Sequence, residues 1–355
     1  MRMEYAIGLL VLVVAGVGLA ILYTPVSPKA SKGSPSSVAK QQGDPYREIA
    51  NPAGFVNTDG ITIKELVGTK VIIVDFMTYS CINCQRTFPY LNAWYKKYKD
   101  QGLEIVGIHT PEFAFEKNID NVRDAMKRFG IMHPVVLDND YGTWNAYGNR
   151  YWPNKYVIDI HGNIVYSHAG EGAYEETEMK IQELLRERAE VLGSSVAFAG
   201  ELASSDMPPL KNFARSPETY FGAWRNEYFA NGMPGREGEQ THALPDTLMR
   251  NALYLDGTWN IEDQFAESVR DSSVFYRYNA GDVFIVADAD NPISVEVFQD
   301  GKRIDVAAGA DVRDGIVTMQ ESRLYKLIHN REPGEHTLEL RVGGKGLRFY
   351  AFTFG

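Results

Sequence analysis

The stretch VIIVDFMTYSCINCQRTFP, residues 71–89, sets the terms for the rest of the chain. Val71, Ile72, Ile73 and Val74 show no polar alternation, which suits a central strand covered on both faces. The run ends in Asp75 and Phe76. A short loop then leads to Cys81-Ile82-Asn83-Cys84 and a helical pattern from about Gln85. Cys81 and Cys84 are the 2 cysteines of the 355-residue chain. Strand, loop, Cys-x-x-Cys and helix is the order in which a redox dithiol is built.

The chemistry needs that layout. In a first helical turn the two sulfurs face the same way and can close a small ring. At the helix start Cys81 meets unpaired N–H groups and the positive end of the helix dipole. Such surroundings lower a cysteine pKa from about 8.5 to roughly 3.5–7.5. Cys84, further in and shielded, is set to attack the mixed disulfide that Cys81 forms with a partner. Asp75 stands at the inner end of an apolar strand, where burial raises a carboxyl pKa and fits it to shuttle the proton of Cys84. Its plainer reading is a strand-end aspartate capping a backbone N–H. A structural bridge gains most from closing a long loop, and this one is minimal, which favours redox use.

VDFMTYSCINC resembles the thioredoxin superfamily, where a strand ending Val-Asp-Phe precedes the dithiol by the same interval. The resemblance is closer still to membrane-anchored thiol–disulfide proteins of the TlpA-like and DipZ groups. It is carried by TYSCINCQRTFPYLNAW (78–94), HTPEFAFEKN (109–118) and DNDYGTWNAYGNRYWPNKYVID (138–159), and covers the chain from about residue 44 onward. It implies an α/β thioredoxin-like fold acting on protein disulfides or dithiols without cofactor or metal. In thioredoxin-like proteins a cis proline stands beside the dithiol at the position matched by Pro153. A cis bond there would present the Trp152 carbonyl to an extended partner peptide pairing as an added strand; an ordinary loop proline is the plainer reading. Glu112 matches an acidic residue that tunes the dithiol in TlpA-like proteins, against a solvated loop glutamate. Met77 and Ser80 depart from the pattern, standing where thioredoxins commonly carry tryptophan. No CcdA-like multispanning segment is visible, so reductase work would need such a membrane protein as electron donor.

The formal charge of −10 argues against a nucleic-acid surface. Residues 6–23 are uninterruptedly apolar. As a helix they span about 27 Å, enough for the hydrocarbon layer. Residues 1–24 therefore read as a single-pass anchor with the body on the extracytoplasmic side. A cleaved signal peptide, with Gly18 and Ala20 before the cut, is the rival. Residues 25–43, rich in Pro, Ser, Lys and Gly, read as a flexible tether.

The thioredoxin-like domain is expected over 44–193. It should hold a small hairpin at 55–63, the central strand and the dithiol helix to about Lys99, with Phe88, Leu91, Trp94 and Tyr95 inward. Strands at 104–108 and 134–137, a helix at 117–129, a hairpin over 156–167 and a closing helix at 175–192 complete it. Residues 194–216 read as a linker.

Beyond it, 217–355, the pattern changes to short alternating segments: 253–261, 273–278, 283–287, 293–299, 323–329, 335–342 and 347–354. Asp300-Gly301 and Gly343-Gly344 are hairpin-turn signals. An antiparallel sandwich, a jelly roll, is expected. It resembles the C-terminal module of DipZ proteins, itself similar to carbohydrate-binding sandwiches. Trp224, Tyr228 and Trp259 could stack on a glycan ring or fill a core.

Three other functions compete. A peroxiredoxin-like peroxidase matches Thr78-Tyr79-Ser80-Cys81, but Val74 stands where that motif needs proline. A thioredoxin-fold copper-delivery protein would take His109, His133 or His168 as a third ligand. An envelope-binding adhesin would leave the dithiol idle.

Overall fold

The computed structural model describes residues 43–203 and 215–355. The expected anchor at 1–24, all but Gly43 of the tether, and residues 204–214 of the linker lie outside them. No helix among the described residues is long and apolar enough to cross a membrane.

The first region runs in chain order β1 (Asp44–Pro45), β2 (Gly54–Val56), α1 (Ile63–Leu66), β3 (Val71–Met77), α2 (Ile82–Tyr98), β4 (Leu103–His109), α3 (Ile119–Arg128), β5 (Val135–Leu137), α4 (Gly142–Ala146), β6 (Asn154–Ile158), β7 (Asn163–Ala169) and α5 (Tyr174–Leu192). Its sheet has the order β1-β7-β6-β3-β4-β5-β2, with β3, β4 and β5 parallel and the remaining pairs antiparallel. This is the expected thioredoxin-like α/β arrangement. β3 is central and every residue in it is buried, as its unbroken apolar run requires. Alternation splits its side chains. Ile73 and Met77 join a core with α2, α3 and α5, whereas Ile72, Val74 and Phe76 pack beneath α1 and α4.

The hairpin expected at 55–63 does not form. β2 pairs antiparallel with β5, and Asn57 donates its side-chain amide to the carbonyls of Ile131 (2.9 Å) and His133 (3.0 Å). Ile63 opens a helix instead. Thr62 accepts from the Glu65 amide at 3.3 Å, and Glu65 accepts from the Thr62 amide at 3.2 Å, a capping box that Thr62-x-x-Glu65 encodes.

Residues 215–355 are β-rich, and every ladder between their strands is antiparallel. Strands Leu253–Ile261, Ile293–Gln299 and Leu347–Phe354 fall where the alternation predicts. The segments read as 273–278 and 283–287 are one strand, Ser272–Ala289, and 323–329 with 335–342 form another, Arg323–Val342. These two pair along their length, and an irregularity between Ala280 and Asp282 absorbs what reads locally as a break. Asp300 and Gly301, with φ of 52° and 73°, make the two-residue hairpin turn. Gly343-Gly344 joins strands that do not pair with each other. Trp259 is fully buried in this region's core and donates Nε1–H to the Asp256 carbonyl at 3.0 Å, so it has no free face for a sugar. Trp224 is 74% exposed.

The two regions share an apolar cluster in which Ile82 and Phe113 meet Phe284, Val286, Leu324 and Tyr350. The C-terminal region therefore packs directly on the first turn of α2.

Candidate active site

β3 carries Asp75 and hands the chain through Thr78–Ser80 to α2. The helix begins at Ile82, three residues before the apolar pattern becomes readable, with Cys81 as its N-cap in extended geometry (φ −77°, ψ 122°). Cys81 is partly exposed and Cys84 fully buried, and both are free thiols. The Cys81 sulfur lies 4.0 Å from the Trp152 carbonyl oxygen. The Trp152–Pro153 bond is cis. The indole of Trp152 packs against that of Trp144, ring centres 4.4 Å apart. Thus Cys81, Cys84, Trp152 and Pro153, far apart in sequence, converge at one end of the sheet.

Cys84 lies on the same side of the sheet as Ile73 and Met77, and hence as Asp75 between them. Burial pushes the Cys84 thiol well up. The Cys81 sulfur and the Asp75 carboxyl add to this, and a hydrogen bond from the Thr78 backbone opposes it. Asp75 is 1% exposed and neither of its oxygens accepts a hydrogen bond among the described residues. Burial raises it from 3.8 to about 7, with the Lys155 ammonium pulling the other way. A carboxyl poised there changes protonation near neutrality, as a proton shuttle must.

Glu112 sits elsewhere. Its Oε1 accepts from Arg225 Nη1 at 2.9 Å and from the Tyr220 hydroxyl at 2.8 Å, both in the C-terminal region. Burial raises its pKa; Arg225 counters this and Glu116 reinforces it. Its contacts are with that interface and not with a sulfur.

Sequence reasoning missed two residues. Glu116, fully buried, accepts from the Ser80 hydroxyl (2.6 Å), the Thr78 hydroxyl, and the amides of Ser80 (3.3 Å), Glu112 (2.6 Å) and Phe113 (3.0 Å). It fastens the loop ahead of Cys81 to the loop after β4. Burial raises its pKa and those hydrogen bonds restrain the rise. Lys155, 0% exposed, stands directly opposite Asp75 in the β3–β6 register. A lysine amid Asn-Lys-Tyr-Val-Ile was the available signal, because a charge on a strand's inward face is costly without a purpose.

His109 and His133 are buried, and burial lowers them to about 3 and about 4 respectively. His109 stacks on Tyr79, ring centres 5.6 Å apart. His168 is cross-strand from Lys155.

Residues 41–185 match the Redoxin family model, and residues 216–355 match that of the thioredoxin-like C-terminal domain. Protein DipZ of Mycobacterium bovis is 36% identical over 312 residues, covering 87% of this chain and 42% of that protein. The thiol-disulfide oxidoreductase ResA of Halalkalibacterium halodurans is 32% identical over 133 residues, 37% of this chain and 70% of that one. The thiol-disulfide oxidoreductase YkuV of Bacillus subtilis is 27% identical over 143 residues, 40% of this chain and 95% of that one. The chain thus spans about two fifths of the DipZ relatives it matches, 42% of their length. With dithiol, strand order and two matching domain models in agreement, the chain belongs to the thioredoxin superfamily, in its DipZ/TlpA-type branch.

Proposed function

We propose that this chain is a protein thiol–disulfide oxidoreductase that exchanges disulfides through Cys81 and Cys84. One observation carries the reading: a partly exposed sulfur at a helix start, beside the Trp152 carbonyl, with a second sulfur buried three residues on near a buried carboxyl that accepts no hydrogen bond among the described residues. Relatives named as thiol-disulfide oxidoreductases support it.

The Cys81 thiolate attacks a partner disulfide, forming one S–S bond and releasing the first partner sulfur. Cys84 gives its proton to Asp75 and attacks Cys81, closing the intramolecular disulfide and freeing the second partner sulfur. The partner gains two electrons and the dithiol loses them; the reverse sequence oxidises a partner. The Trp152 carbonyl, next to the reacting sulfur, offers an acceptor to an extended partner backbone.

The chain works outside the cytoplasm from a single-pass N-terminal anchor, as a reductase supplied by a CcdA-like membrane protein. Its β-rich region is a jelly-roll sandwich that takes a glycan, with exposed Trp224 and Tyr228 the aromatic candidates.

Cys84→Ser should accumulate covalent partner complexes through Cys81 on non-reducing gels. If Cys81→Ser accumulates them equally, the assigned roles fail.

A further inference from the structure

The first turn of α2 has a wall beside it. Ile82, next to Cys81, is only 7% exposed because Phe284, Val286, Leu324 and Tyr350 cover it. Tyr79, on the other side of Cys81 in sequence, donates to the Ser322 carbonyl at 3.1 Å. One helical turn on from Ile82, the Arg86 guanidinium lies 5.9 Å from the Phe284 ring centre. The C-terminal region thus closes in on the chain just before and just after the reacting sulfur.

This wall cannot fold aside as a loop would. Val286 is paired with Leu324 on one neighbouring strand and with Ala351 on the other. Phe284 stands opposite Lys326 in the same ladder, with the Lys326 ammonium 5.4 Å from its ring centre. These side chains therefore project from one face of a sheet whose backbone is bonded on both sides. Arg128, at the end of α3, adds an ion pair to Glu321 at 3.0 Å. The remaining neighbour of Cys81 is the Trp152 carbonyl, 4.0 Å from its sulfur, and the Gly170 amide donates to the adjoining Pro153 carbonyl at 2.7 Å.

Disulfide geometry decides what can enter. In a mixed disulfide the two Cα atoms lie roughly 4.4–6.8 Å apart, so the partner backbone must approach Cys81 that closely. A lone extended segment meets this condition, because paired strands run about 4.8 Å apart. A cysteine set in a folded surface brings its neighbouring elements along, with the next layer only about 10 Å behind, and that bulk meets the sheet face over Ile82.

We propose that the C-terminal region selects partners by shape: the dithiol takes cysteines on a flexible, extended segment and rejects those set in a folded surface, with Phe284 a specificity-determining residue. The proposal rests on the dithiol reading above, and the exchange itself is unchanged. The Cys81 thiolate bonds to one partner sulfur, the S–S bond of the partner breaks, and its electron pair leaves on the second sulfur.

One folded carrier domain, given a single cysteine either in an unstructured tail or on a helix surface, is loaded with thionitrobenzoate as a mixed disulfide. Both conjugates then release the same coloured thiolate. Each rate with the reduced full chain is divided by the rate with dithiothreitol, which removes intrinsic reactivity. The tail conjugate should then react at least about a hundredfold faster than the surface conjugate. Equal normalised rates overturn the proposal. Phe284→Ala lowers the wall and should shrink the ratio about fivefold or more. An unchanged ratio in that variant overturns the role given to the C-terminal region. Should Phe284→Ala not fold, Lys326→Ala trims the same face and is read in the same way. Failure of the reduced chain to release colour even from free nitrobenzoate disulfide overturns the dithiol reading itself, a result distinct from either ratio.

Discussion

Tyr79, two residues ahead of Cys81, donates its phenol to the backbone carbonyl of Ser322 at 3.1 Å. The loop that presents the dithiol is thereby tied to the C-terminal region. Tyr79→Phe keeps the stacking on His109 and removes only that bond, so it should cost about 0.5–1.5 kcal/mol. The urea midpoint should fall with an unchanged slope.

Ile82 makes the same connection through apolar contact. Leu324→Ala, at the far side of the shared cluster, leaves a cavity against the dithiol turn and should destabilise by about 2–5 kcal/mol. If the packing also holds the turn, alkylation of Cys84 in the native protein should become faster. A normal urea midpoint would contradict the packing described.

Glu116 accepts from five donors in two loops. Glu116→Ala strands buried amides of Ser80 and Phe113, at about 1–3 kcal/mol for each unsatisfied group. Glu116→Gln preserves shape but exchanges one acceptor oxygen for a donor, so it should fall between alanine and the parent chain. Chemical denaturation of the pair tests the order.

Asp75 gives the pH dependence a definite sign. Its folded pKa is raised by burial from 3.8 to about 7, so its favourable contribution is complete below about pH 4 and is lost as the pH rises through about 7. Asp75→Asn should therefore equal the parent near pH 4 and exceed it in stability near pH 8 by on the order of 4 kcal/mol. The same variant should resolve mixed disulfides slowly. His109 and His133 act oppositely. Depressed from 6.5 to about 3 and about 4 by burial, they stabilise above about 6.5, and that contribution is lost as the pH falls through their folded values. Urea midpoints across this range check both signs.

Much of the molecule was legible because its determinants are local. The unbroken apolar run of β3, the two cysteines and the alternating C-terminal segments each declare themselves within a few residues. What escaped depends on partners far along the chain. Asn57 and Gly60 look like a turn, but the partner of β2 is β5, and Asn57 serves the carbonyls of Ile131 and His133. Lys155 gains meaning only once register sets it opposite Asp75. Glu112 resembled a tuning residue through its position after β4, yet Arg225 and Tyr220 hold it across the inter-region contact. Glu116, four residues on, binds the dithiol loop, and no periodicity distinguishes the two glutamates.

Burying Ile82 beneath Phe284, Leu324 and Tyr350 removes a freedom that a solitary redox domain retains. The pair of residues between two such cysteines is ordinarily an open slot, where a new side chain alters the sulfurs and little else. Here one of its two members is also a keystone of a separate fold. Its replacement must be matched by compensating changes more than two hundred positions downstream, so these two parts of the sequence are bound to drift together.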